Sequence, residues 1–151
     1  MSSGKKFDVI GHARRRVDGR AKVTGQLRYA DDLTLPRMLH AKLLRSPHPH
    51  ALIEAIDIAR AKGHPGVQLV LTGKDFPVPF GIMPVSQDEY PLAPERVRYV
   101  GDPVAAVIAK DEQTASEALE LIEVKYKCLP TIATPEEGLA HPETRIHDYG
   151  E

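Results

Sequence analysis

The chain has 151 residues, 42% of them hydrophobic, a length and composition that suit one domain with a real core. Its 20 Lys and Arg against 21 Asp and Glu leave it near neutral, which argues against a dedicated nucleic-acid binder. One cysteine, Cys128, excludes an intrachain disulfide framework, and no run nears the roughly 18 apolar residues of a membrane span. No apolar leader follows MSSGKKFD, so the expected location is cytoplasmic, with no membrane partner.

Residues 1–36 are polar, basic and rich in turn signals. Seven Lys or Arg fall between Lys5 and Lys22, and Asp18-Gly19 and Thr24-Gly25 mark turns. This stretch is expected to be an extended basic arm, with a short strand near Gln26–Tyr29. The domain proper is expected over 37–150.

Met38–Arg45 predicts a strand with Leu39, Ala41 and Leu43 on one face, because side chains alternate at period two. Ser46-Pro47-His48-Pro49-His50 breaks it. Ala51–Asp57 predicts a second strand, and Ala59–Lys62 one helical turn stopped by Gly63 and Pro65. Val67–Leu71 predicts a third, buried strand. Phe76–Pro94 holds five prolines, which forbid long regular structure. A loop of this length in a compact domain is usually functional or interfacial. Val97–Tyr99 and Val104–Ala109 then read as strands around a Gly101-Asp102-Pro103 turn. Asp111 predicts an N-cap, and Ala115, Ala118, Leu119 and Ile122 form the apolar stripe of the one main helix, about Asp111–Leu121. Val124, Tyr126 and Cys128 alternate with Lys125 and Lys127 in a last strand. Pro135–Ala140 predicts a short helix with proline near its first position. The fold class is therefore α+β: short mixed strands with one main helix packed on the sheet.

The charge is unevenly spread. Residues 1–110 carry 17 basic and 11 acidic side chains, and residues 111–151 carry 3 and 10. Such a dipolar chain suits docking to other proteins as readily as it suits a plain solvated surface.

Few residues offer chemistry. His48 and His50, at i and i+2, would point the same way from an extended segment, but a metal site needs a third ligand and none is visible; the competing reading is polar turn residues. Cys128 on a strand reads as structural rather than nucleophilic. Gly73-Lys74 fails as a phosphate loop, since no glycine precedes it by five and Asp75 replaces Ser or Thr. No G-x-G-x-x-G is present. Arg14-Arg15-Arg16 suits either an anionic partner or a solvated arm. Asp88 and Glu89 adjoin Tyr90 in the proline-rich loop; adjacent carboxylates rarely converge on one atom, so a binding funnel or subunit contact is favoured over acid–base work.

Several segments in order carry a resemblance: VDGRAKVTGQLRYADDL, LPRMLHAKLLRSPHPHALI, GVQLVLTGKDFP, VRYVGDPVAAVIA and EVKYKCLP. Together, over about Val17 to Pro130, they resemble the N-terminal α/β-hammerhead domain of the molybdenum-binding subunit of the xanthine dehydrogenase/aldehyde oxidase family. The segment from Pro77 to Ala115 is most similar to the 4-hydroxybenzoyl-CoA reductases of that family, which remove a phenolic hydroxyl where their relatives hydroxylate. The resemblance implies a parent complex with molybdopterin, iron–sulfur clusters and flavin (FAD). It implies as partners the cofactor-binding remainder of the molybdenum subunit, an iron–sulfur subunit and a flavin subunit. It also implies that the molybdopterin ligands and the glutamate base lie in later domains, so no catalytic, cofactor-binding or metal residue carries over. The isolated chain is expected to be inactive. Its work would be scaffolding, with Phe80, Asp88, Glu89 and Tyr90 in a substrate-funnel or subunit-contact loop. The alternative is a stand-alone, non-catalytic binding or adaptor module. A small independent hydrolase finds no nucleophile–base constellation in the sequence.

Overall fold

The computed structural model describes residues 7–81 and 87–147. Contacts divide the chain into two units, Met1–Pro36 and Arg37–Glu151.

The first unit holds short local structure. Asp18-Gly19 opens a one-turn helix, α1 (Gly19–Val23), and Gly25 ends the turn at φ +68°. Asp18 gathers Arg16 (3.1 Å) and Lys22 (2.7 Å). No strand forms near Gln26–Tyr29. The Gln26 and Leu27 N–H groups both donate to Ala21 O, at 2.8 and 3.0 Å, which folds the chain back on the helix end and takes those donors from any ladder.

The second unit is built on six strands: β1 (His40–Arg45), β2 (Ala51–Asp57), β3 (Val67–Thr72), β4 (Arg96–Val97), β5 (Pro103–Ala109) and β6 (Glu123–Cys128). They form two three-stranded sheets, β1-β5-β3 and β4-β2-β6, with every pairing antiparallel. Helices α2 (Ala59–Lys62), α3 (Glu112–Leu119) and α4 (Pro135–Ala140) complete it. This is the expected mixed α+β architecture.

One core cluster joins Ala105, Val107 and Ala109 of β5 to Ala115 and Ala118 of α3, with Ala61, Val70 and Ile122. A second joins Ala51, Ala93, Val97 and Val104. Ile56 and Val124 pack against both. The apolar stripe of α3 thus faces β5 as its spacing requires. Asp111 caps the helix, accepting from Thr114 N–H at 2.7 Å. Thr134 caps α4 through Glu137 N–H at 3.2 Å.

Two features go beyond what the sequence specifies. In β1 the apolar row Ala41 and Leu43 is the exposed one, while Lys42 and Leu44 turn inward. Lys42 pairs with Glu112 at the N-terminus of α3. The proline-rich segment is not wholly a surface loop either, because Leu92 and Ala93 are buried. Ala93 N–H donates to Pro103 O at 2.7 Å, which anchors the returning chain to the start of β5.

That return depends on Gly73. A Cβ there would lie 2.4 Å from Pro94 Cα and 2.6 Å from Ala93 O, both backbone atoms that cannot swing away. Gly73→Ala is expected to cost about 1–3 kcal/mol through overpacking, measurable by urea denaturation. The capping carboxylates set the acid limb. The Thr114 N–H holds Asp111 below its ordinary 3.8, and the Thr72 N–H does the same for Asp75. Their stabilisation is present above about pH 4 and lost as pH falls through the lower folded values. Asp111→Asn keeps a capping oxygen that does not titrate, so its Tm should fall less than wild type between about pH 5 and pH 3.

Candidate functional site

A cleft of about 360 Å³ lies in the second unit. Its wall starts at a single antiparallel rung, where Phe80 and Glu89 exchange backbone hydrogen bonds of 2.7 and 3.1 Å. Phe80, Asp88, Glu89 and Tyr90 all line the cleft, so the four residues of the expected funnel loop come together. A second hollow, about 650 Å³, shares Asp88, Tyr90, Arg96 and Arg98.

Sequence reasoning missed the opposite wall: Arg96, Arg98, Tyr99, Asp102 and His147. Only the fold brings His147 here, 59 positions from Asp88. Its Nδ1 lies 2.7 Å from Asp88 Oδ2. Arg98 Nε lies 3.6 Å from the same oxygen and donates to Ile146 O at 3.1 Å. The alternation of arginines after β4 begins, at 96 and 98, was the one signal that could have pointed to this wall.

The floor is the Gly101-Asp102-Pro103 turn. Asp102 N–H donates to Tyr99 O at 3.2 Å, and Gly101 sits at φ +94°, which a side chain would strain. Asp102 is 8% exposed and accepts from Arg98 N–H at 2.9 Å. Burial pushes its carboxyl up, against the pull of that N–H and of the Arg98 charge. Burial and the Asp102 charge likewise push the Tyr99 phenol up.

The other sequence candidates lie elsewhere. His48 and His50 do not converge: the segment between β1 and β2 is bent, and Ser46 Oγ both accepts from His48 N–H and donates to His48 O, each at 3.0 Å. His50 is 4% exposed, with its Nδ1 2.6 Å from Pro130 O. Cys128 is exposed rather than packed, because the end of β6 has no cover; its Sγ lies 3.6 Å from His48 Nδ1. Arg16 is engaged with Asp18.

Among the described residues, no group of three His, Cys, Asp or Glu side chains could hold a metal ion. Among those same residues, no serine or cysteine lines the cleft to act as a nucleophile beside His147. A pterin phosphate would meet the carboxylates Asp88, Glu89 and Asp102, and a single cysteine cannot supply the thiolates of an iron–sulfur cluster. The residues present do not fit these groups.

Together these observations define a two-sheet α+β domain with a charged cleft. The chain belongs to the α/β-hammerhead domain family of aldehyde oxidases and xanthine dehydrogenases, whose model matches residues 24–130. It is 48% identical to a probable xanthine dehydrogenase component of Bacillus subtilis, covering 91% of this chain and 18% of that protein. It is 39% identical to the xanthine dehydrogenase molybdenum-binding subunit of Escherichia coli, covering 89% and 19%. Among solved structures, quinoline 2-oxidoreductase from Pseudomonas putida superposes with a TM-score of 0.76 at 39% identity, over 89% of this chain and 18% of that one. The chain thus spans less than a fifth of the length of these proteins. Among the described residues, no helix is long and apolar enough to cross a membrane.

Asp102 gives a pH test with a definite sign. A carboxyl raised in the folded state favours folding most when protonated, below about pH 4, and that advantage is lost as pH rises through the folded value. Asp102→Asn keeps an acceptor for Arg98 N–H without the charge. It should match or exceed wild-type stability at pH 7 and lose any advantage near pH 3. Asp102→Ala should cost about 1–3 kcal/mol at both, by orphaning that N–H. Urea titrations at the two pH values check both.

Proposed function

We propose that this chain is a structural and assembly domain of a molybdopterin-dependent oxidoreductase and is not catalytic by itself. The observation that carries the reading is a cleft in which Asp88 lies against Arg98 and His147, in a family domain that spans less than a fifth of the relatives named above. Molybdenum, iron–sulfur and flavin chemistry would belong to other domains and subunits, in a cytoplasmic complex. The basic first 36 residues would act as a docking arm. Phe80, Asp88, Glu89 and Tyr90 would edge the substrate funnel or a subunit contact. The Pro77–Ala115 segment supports a 4-hydroxybenzoyl-CoA reductase-like parent, with an aromatic acyl-CoA as substrate.

The test is co-expression of the tagged chain with the remainder of the Escherichia coli molybdenum-binding subunit, from which the matching segment has been removed. The tagged chain should recover that remainder together with molybdenum, read by mass spectrometry and metal analysis. Recovery of neither sinks the reading. The reductase assignment has its own check: a complex rebuilt around this chain should dehydroxylate 4-hydroxybenzoyl-CoA, and exclusive turnover of purines would exclude it.

The two core clusters, both drawn from the second unit, favour a second reading, a self-sufficient binding module derived from the same domain. That module would purify as a folded monomer that captures no cofactor polypeptide.

A further inference from the structure

Cys128 is the chain's one thiol, and it does not stand alone. It ends β6 exposed, and its Sγ lies 3.6 Å from Nδ1 of His48, 80 positions away in the chain. The fold makes this pair: β6 lies against β2 with Cys128 opposite Ala51, and the bent segment leading into β2 carries His48. The imidazole is held in place. Its ring meets Tyr126 edge-on, with centroids 4.9 Å apart and planes at 68°. Ser46 Oγ accepts from His48 N–H and donates to His48 O, each at 3.0 Å. A thiol, a base within its reach and a third group that orients the base are the signature of an activated nucleophile. In the tautomer protonated on Nε2, Nδ1 of His48 accepts the thiol proton.

The neighbours of this pair select what it reacts with. Lys125 and Lys127 are both exposed on β6, and Lys127 adjoins the thiol. Glu123 of the same strand is engaged with Arg60 at 3.3 Å, and Glu54 of β2 sits at the bulge opposite Lys125 and Tyr126, further from the strand end. The local field at Cys128 therefore favours an anionic reagent. His50 adds a second demand. It is 4% exposed, its Nδ1 lies 2.6 Å from Pro130 O, and its Nε2 has no partner among the described residues. A carbonyl only accepts, so Nδ1 carries the proton and Nε2 is an unfilled acceptor. His50 directly precedes Ala51, the register partner of Cys128. A peptide-like reagent brings N–H donors to that end of the sheet, and a plain alkyl disulfide does not.

We propose that Cys128 and His48 form a thiol–disulfide exchange site that takes up an anionic, peptide-like disulfide of the glutathione class. His48 Nδ1 takes the thiol proton, and the Cys128 thiolate attacks one sulfur of the incoming disulfide. A Cys128–sulfur bond forms as the original S–S bond breaks, and its electron pair leaves on the second sulfur, which takes the proton from His48. Cys128 is oxidised to the disulfide level, one half of the reagent is reduced to a thiol, and no further oxidant is needed. This is independent of the assembly role proposed above.

The first test needs no variant, because the chain's one thiol supplies its own reference. Folded wild type should react with dithiobis(nitrobenzoate), a dianionic disulfide, at least about ten-fold faster than the same thiol in the urea-unfolded chain. An equal or slower folded rate overturns the site. Glutathione disulfide should add one glutathionyl group per folded chain, seen by mass spectrometry and reversed by dithiothreitol; no adduct overturns the assignment. His48→Gln, with circular dichroism and melting unchanged, should lose at least about five-fold of the folded rate and none of the unfolded rate. A folded variant that keeps the full rate removes the base from the site and overturns it as drawn. Wild type should prefer glutathione disulfide to the cationic disulfide cystamine, and Lys127→Gln should narrow that preference most at low salt. A wild type that prefers cystamine overturns the choice of an anionic partner.

Discussion

The close approach of α3 to β5 is the contact on which the rest of the domain depends. It is made by small side chains: Ala105 and Ala109 on the strand meet Ala115 and Ala118 on the helix, all fully buried. Alanine loses no rotamer freedom on burial, so the helix can lie near the sheet without an ordering cost in side chains. The helix is only eight residues long, too short to be stable alone, and tertiary packing has to hold it. Its polar ends help. Asp111 closes the N-terminus, and Glu112 reaches Lys42 across on β1. One short helix thus ties the central strand and an edge strand of the first sheet, and Ile56 and Val124 carry the core on to the second.

Most elements were legible because their signals are local. Ala51–Asp57, Ala59–Lys62 and Pro135–Ala140 appear with the limits their sequences predict, since caps, glycine stops and period-two alternation are read within a few residues. What stayed open was orientation. Leu39, Ala41 and Leu43 do share a face, but alternation cannot say which row meets the helix when both rows carry apolar atoms. Lys42 contributes its methylene stem to the inner side and hides this in a residue-type pattern. The strand near Gln26–Tyr29 failed for another reason: Ala21 O captured two consecutive N–H groups, a competition invisible in composition.

The cleft divides along the same line. Phe80, Asp88, Glu89 and Tyr90 were legible because proline density marks a segment that must do something other than form a ladder. Arg98, Asp102 and His147 were not legible as a wall, because their nearness is set by tertiary return of the chain. Asp102 was read as a turn residue, and it is one; its second role, accepting from Arg98 N–H beneath the cleft, follows from the same turn. The site therefore joins a proline-rich loop to a tight turn.

The rung between Phe80 and Glu89 has a further consequence. By pinning both ends of the excursion it encloses, it separates the length of that excursion from the stability of the scaffold. Closure entropy grows only logarithmically, at roughly 0.6 kcal/mol for each doubling of length. A lineage carrying this clasp can therefore rewrite, lengthen or trim what lies between, trying new rims on an inherited frame.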